Sequence, residues 1–175
     1  YVARLLIGSL VFLCGLLLAA DGPAALGLEG FGVKVGVDLA QQQPIYGGTQ
    51  FDTARLVLGG HVDMGSFVAD KVHFVPGVDF VRESELRILS LNGDFRYFFF
   101  EGARTVGYAG GGIGAHLHRP DDPLEANTKM SVNIPIGFQS SLSKGVMWFG
   151  ELKLVIADEQ IDSSFRLSVG LAFGK

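Results

Sequence analysis

The chain carries a single cysteine, Cys14, which excludes an internal disulfide framework and any cysteine-rich metal centre. Charge is scarce too: Asp, Glu, Lys and Arg make up 18% of the 175 residues, where a soluble domain usually carries roughly a quarter. The charge present sums to −4, with a pI near 5.5. No Lys/Arg run is interleaved with aromatics, so a nucleic-acid-binding face is excluded. Beyond the first 27 residues no stretch reads as a convincing helix. Glycine, by contrast, reaches 25 residues, and mean hydropathy is +0.34. A chain of this length holds one domain with a substantial core. It either buries an unusual share of itself or shows an apolar surface to something other than water.

The first residues are a different material. Arg4 precedes an apolar run over residues 5–20, which Asp21-Gly22-Pro23 breaks. A basic start, a long apolar middle and small residues beyond it predict a secretory signal peptide, cut after Ala20 or after Gly27 in Ala25-Leu26-Gly27. The competing reading is a transmembrane anchor, for which the run falls short of the ~20 residues a spanning helix needs. Leu13 stands before Cys14 where lipidation wants a small residue, so Cys14 belongs to the apolar run. The domain assignment is 1–27 signal peptide and 28–175 barrel domain. An opening on Tyr1 rather than Met reads as a fragment.

From residue 31 onward, amphipathic runs of period two recur between turn signals, and that period means β-strands with one apolar face. The first sets Phe31, Val33, Val35, Val37 and Leu39 against Lys34 and Asp38. The second sets Leu56, Leu58, Val62 and Met64 against Arg55, His61 and Asp63. Val72, Phe74, Val78 and Phe80 mark the third, with His73 and Asp79 opposite. In the fourth, Leu89, Leu91, Phe95, Tyr97 and Phe99 oppose Ser90, Asn92, Asp94 and Arg96. The fifth, over residues 105–118, is glycine-rich. The sixth carries Met130, Val132, Ile134, Ile136 and Phe138, and the seventh sets Trp148, Leu152, Leu154 and Ile156 against Glu151 and Lys153. The eighth alternates Phe165, Leu167, Val169, Leu171 and Phe173 with Arg166 and small residues. Its length is near the 9–11 residues a tilted strand needs to cross a bilayer. Eight such strands predict an all-β, antiparallel up-and-down barrel, closed so that no edge is exposed.

Alternation alone does not say which face is inside. A lipocalin-like secreted carrier would turn the apolar face inward and show water a face dense in charge. Here the second face is rich in Gly, Ser, Asn and Ala, which suits the narrow lumen of an eight-stranded barrel. The apolar face is therefore expected to meet lipid. Its charges come in both signs (Lys34, Arg55, Arg96, Lys153 and Arg166 with Asp38, Asp63, Asp94 and Glu151) and form the expected lumen network, since buried charge must be paired. With Phe31 opposite Phe173, Asp38 falls opposite Arg166; Lys34 with Asp63 is the second expected pair. Aromatics are expected in two belts at the headgroup levels. Phe31, Phe67, Phe74, Phe98–Phe100, Tyr108, Phe138, Trp148, Phe149 and Phe173 fall near the periplasmic rim, and Phe51, Phe80 and Phe165 near the other. The longest links, residues 41–52 and 119–128, then lie outside, with short turns on the periplasmic side.

Catalytic chemistry is sought and not found. His116 and His118 share a face, but no third ligand is spaced to join them; His61 and His73 sit on the polar faces of the second and third strands and read as hydrogen-bonded lumen histidines in the same way. No Ser-His-acid constellation has one evident geometry. Gly110-Gly111-Gly112 with Gly114 lacks the helix and the Lys-Ser/Thr pair of a phosphate loop; a closely approached backbone explains it better. No cofactor and no metal are expected.

Several segments resemble a known family. Val75-Pro76-Gly77-Val78-Asp79-Phe80 with Leu91-Asn92-Gly93-Asp94-Phe95-Arg96-Tyr97 resembles the paired third and fourth strands of small outer-membrane barrels. Tyr108-Ala109-Gly110-Gly111-Gly112-Ile113-Gly114 resembles their glycine-rich fifth strand. Phe149-Gly150-Glu151-Leu152-Lys153-Leu154-Val155-Ile156 followed by Asp158 resembles their seventh. The family is the OmpA/OmpX-like outer-membrane β-barrel class, and the resemblance runs from Leu28 to the C-terminus. It implies an eight-stranded transmembrane barrel in the outer membrane of a Gram-negative-type cell, placed there by the outer-membrane assembly machinery among lipid and lipopolysaccharide. It implies no activity by itself. Members often end on the aromatic, whereas Gly174 and Lys175 follow Phe173 here. The resulting expectation is a structural or surface-interaction barrel without catalysis, its partner held by the external loops. The alternatives are a lipid A-modifying enzyme using His116 or His118, and the secreted carrier.

Overall fold

The computed structural model describes residues 27–40, 53–82, 86–102, 104–120, 127–157 and 163–174. The expected signal peptide, apart from Gly27, lies outside the described residues, as do residues 41–52 and 121–126 of the expected external loops. Eight long strands follow one another: β1 Gly30–Ala40, β2 Thr53–Asp63, β3 Ala69–Arg82, β4 Leu86–Glu101, β5 Thr105–Pro120, β6 Asn127–Ser143, β7 Val146–Ala157 and β8 Ser164–Gly174. A two-residue bridge, Ser66–Phe67, folds back onto β3 between β2 and β3. Each strand pairs antiparallel with its neighbours in sequence, and β1 pairs with β8, so the sheet closes. Among the described residues no helix is long and apolar enough to cross a membrane; the crossing elements are the strands.

Closure runs in the register expected from the two end strands. Phe31 faces Phe173 and Asp38 faces Arg166 along eleven paired positions of β1 and β8. A one-residue slip would exchange the two faces of a strand, so matched alternation in both fixes the register. The β2–β3 seam is weaker, with six paired positions ending at His61 opposite Gly77. The β5–β6 ladder skips where Gly110 and Gly111 face Pro135 and Ile134, because proline has no N–H to give.

The polarity of the wall is inverted relative to a soluble barrel. Along β1, Phe31 is 53% and Val37 41% exposed on the outside, while Lys34 and Asp38 are 9% and 1% exposed within. The same alternation runs along β8, where Leu167, Val169 and Leu171 are exposed and Arg166 and Ser168 buried. In water this outer surface would be a severe aggregation liability. It is the surface of a transmembrane barrel, which corrects the carrier reading: the interior holds charge rather than an apolar pocket.

Glycine makes that interior possible. A Cβ at Gly110 would strike the carbonyl oxygen of Phe95, and one at Gly112 the carbonyl of Gly93 and the carboxylate of Asp94. At Gly114 it would stand 2.6 Å from Ser131 Oγ, and at Gly137 2.6 Å from Tyr108 Cζ. The glycine-rich strand is thus the closely approached wall anticipated from its composition. Its missing side chains leave the space in which its neighbours' polar groups lie.

Candidate functional site

One end of the barrel carries the β1–β2, β3–β4, β5–β6 and β7–β8 links (the loop end), and the other carries the β2–β3, β4–β5 and β6–β7 links with the start of β1 and the end of β8 (the turn end). Going inward from the loop end, Asp38 is the first anchor. Ser164 Oγ donates to its Oδ1 at 2.5 Å, Arg166 Nε donates to the same oxygen at 3.0 Å, and Arg55 Nη1 lies 3.9 Å from Oδ2. Arg166 also reaches Asp79 Oδ2 at 3.3 Å and Ser90 Oγ at 3.4 Å. The arginine therefore ties strands β8, β1, β3 and β4 across the lumen.

Glu151 is the second anchor and is fully buried. Arg96 Nη2 donates to its Oε2 at 2.7 Å and Tyr108 OH to the same oxygen at 3.0 Å. Lys34 lies 3.4 Å and Lys153 4.0 Å from Oε1. The guanidinium of Arg96 also sits 4.7 Å from the centre of the Tyr108 ring, a cation–π contact in a desolvated place. Lys153 donates to Asp94 Oδ2 at 2.6 Å, and Lys34 to Asp79 Oδ1 at 3.0 Å. Uncharged groups fill the gaps: Asn92 donates to Asp79 at 3.0 Å, and Asn133 to Asn92 at 2.9 Å.

The network corrects one expected pair. Lys34 does not meet Asp63; it lies between Asp79 and Glu151, and Asp63 is held by His73, whose Nδ1 stands 2.9 Å from its Oδ1. Barrel tilt brings together side chains from strands that are not neighbours, which linear pairing of β1 with β2 does not anticipate. Asp79, absent from the charges singled out above, is a hub. Its signal was its place on the polar face between Val78 and Phe80.

The aromatics divide. Phe31 stacks on Phe173 with ring centres 5.2 Å apart, and Phe138 meets Trp148 edge-on at 4.9 Å, all toward the turn end. Phe74 packs against Phe95 at 5.1 Å. Phe99 and its neighbour Phe100 are both exposed on the outer face, because the β4–β5 register shifts between Phe98 and Phe100. Three residues expected in the belt point inward instead: Phe98, Tyr108 and Phe149 are buried in the lumen. Their parity explains it, since Phe98 shares the face of Arg96, and Phe149 that of Glu151. Phe51 lies outside the described residues.

His116 lies deep in the lumen, 3% exposed, with Nδ1 2.7 Å from Ser90 Oγ and Nε2 2.6 Å from Ser131 Oγ. Both ring nitrogens are engaged. His118 is on the same face nearer the loop end. Toward the turn end the filling stops. A cavity of about 570 Å³ opens there, lined by Glu29, His61, Asp63, His73 and Arg96 among others.

No family model matches the sequence, and no curated protein matches it either. Solved structures do. Neisserial surface protein A is similar with a TM-score of 0.66 at 9% identity, over 83% of this chain and 96% of that one. The N-terminal β-barrel domain of Pseudomonas aeruginosa OprF gives 0.57 at 13% identity, over 85% and 99%. Ail, the attachment invasion locus protein of Yersinia pestis, gives 0.53 at 10%, over 85% and 98%. The chain has the fold of the small eight-stranded outer-membrane β-barrels.

Proposed function

We propose that this protein is a resident barrel of the outer membrane, with a structural or adhesion-type surface role and no catalysis. The observation that carries the reading is the inverted wall: an apolar exterior around an interior packed with paired charges. Among the described residues the middle of the lumen is filled by these paired side chains, which favours a structural role over conduction. Residues 1–27 act as the signal peptide, and residues 28–175 are inserted among lipid and lipopolysaccharide by the outer-membrane assembly machinery. The turn end faces the periplasm. Phe31, Phe74, Phe99, Trp148 and Phe173 form the aromatic belt on that side, where amphipathic rings favour the headgroup region. Lys34, Asp38, Arg55, Asp63, Asp94, Arg96, Glu151, Lys153 and Arg166 are structural charges. Partner contacts belong to the external loops, residues 41–52 and 119–128. The names of Ail and neisserial surface protein A, an attachment protein and a surface protein, agree with that role.

The test has two parts. The protein is expected to sediment with outer membranes and to migrate faster on SDS gels unboiled than boiled; a soluble, detergent-free monomer overturns the membrane reading. Replacing residues 41–52 and 121–126 by short Gly-Ser turns should leave that gel shift intact while abolishing attachment of intact cells to host-cell or matrix surfaces. Attachment unchanged by both replacements overturns the surface role. Lipid A that changes mass on expression, and reverts with His116→Ala or His118→Ala, would restore the enzymatic alternative.

A further inference from the structure

The cavity at the turn end differs from the rest of the lumen in what lines it. Glu29 arrives from the segment before β1, Asp63 from the end of β2 and His73 from the start of β3. One donor atom of each lies within 4.8 Å of the other two. His73 Nδ1 is 2.9 Å from Asp63 Oδ1 and 3.9 Å from Glu29 Oε2. A zinc ion binds such atoms at about 2.0–2.2 Å, which places its ligands about 3–4 Å from one another. The two separations lie close to the ends of that range.

The Glu29 backbone and the Asp63 carboxylate are held in place without the ion. Glu29 N–H donates to the Asp63 carbonyl at 2.9 Å, and Gly65 N–H donates to Asp63 Oδ1 at 2.9 Å. Gly65 has φ +73°, a conformation that glycine favours, and a Cβ there would stand 2.8 Å from Glu29 Oε1. The glycine thus both makes the turn and leaves room for the Glu29 carboxylate. His61 lines the same cavity, its ring edge-on to Phe149 at 5.2 Å.

We propose that Glu29, Asp63 and His73 form a binding site for one divalent transition-metal ion of the zinc class, with a water from the cavity as fourth ligand. Mixed imidazole and carboxylate donors suit zinc better than calcium or magnesium, which take oxygen alone. The site bridges the barrel where its ladder is shortest, just past the last β2–β3 pair, His61 with Gly77. There Met64 N–H to the Phe74 carbonyl and Phe74 N–H to the Gly65 carbonyl continue the link, followed by the Ser66–Phe67 bridge. A bound ion would pin this seam to the entry of β1.

The test uses untagged full-length barrel refolded in detergent, its folded state checked by unboiled gel migration. Titration with Co²⁺ and then Zn²⁺ should show one ion per chain, with a visible Co²⁺ band of low coordination number that Zn²⁺ bleaches. His73→Gln and Asp63→Asn should each weaken binding by at least about tenfold, the range lost even with a supporting residue of a metal site, while still migrating as folded. His116→Gln, in the packed middle, should bind as wild type. No saturable binding to folded wild type overturns the proposal. So does binding that survives both His73→Gln and Asp63→Asn, or that is lost with a folded His116→Gln.

Discussion

The middle of the lumen and its turn end are lined by the same residue types, yet one is full and the other hollow. In the middle every carboxylate meets at least one cation: Asp38 with Arg166, Asp79 with Lys34, Asp94 with Lys153, Glu151 with Arg96. At the turn end a half-exposed Glu29 and the Asp63–His73 pair border about 570 Å³ of open space. The difference teaches that charge in this barrel does two jobs. Where glycines on the facing strands make room, charges interlock and replace an apolar core. Where inward aromatics, Phe98 and Phe149, take up the wall instead, the polar groups are left at the rim of a chamber with capacity to bind something.

The sharpest way to break the contrast is to remove an anchor from the middle. Glu151→Ala strands the buried Arg96 and leaves Lys34 and Lys153 with one carboxylate each, and should cost about 3–5 kcal/mol, the usual loss when one partner of a buried pair is deleted. Urea unfolding in lipid vesicles measures it, and Glu151→Gln should lose less because it keeps the Tyr108 contact. The outer face offers the next largest effect. Val169→Arg puts a charge against lipid in mid-strand and should cost about 2–4 kcal/mol, whereas Ser168→Ala, one residue away and inside, should change stability far less. Third, Gly137→Val drives a branched side chain into Tyr108 and should cost about 1–3 kcal/mol by overpacking, with the unboiled gel band moving toward the unfolded position at lower temperature. Smallest is Asp63→Asn without metal: its carboxylate is partly exposed, so the loss of the His73 pair should stay within about 1 kcal/mol. A loss as large as that of Glu151→Ala would erase the distinction between the two regions.

Much of this was legible along the chain. The strands, the closing register and the inward set of charges follow from period-two alternation, because a strand has only two faces and lipid accepts only one kind. Asp38 opposite Arg166 needed nothing more than the parity of two strands zipped from Phe31 and Phe173. Lys34 was paired with the wrong carboxylate for a physical reason: its side chain reaches across the lumen to β3 and β7 rather than along the wall to β2. Position along the strand puts Phe98, Tyr108 and Phe149 near the rim, but the parity of their strands turns them inward. Glu29, Asp63 and His73 gave no motif at all, since three separate segments supply them.

The sequence by itself determined the wall: eight strands, their order, which side chains face in, and that the outside must be apolar. A two-fold period gives each strand two faces, closure removes the exposed edges, and the scarcity of charge on the second face turns the apolar one outward. Only the tertiary structure decided who meets whom within the wall. Strand tilt and the empty volume beside each glycine select which cation reaches which carboxylate. The same geometry decided that the turn end stays open, with Glu29, Asp63 and His73 gathered at its rim.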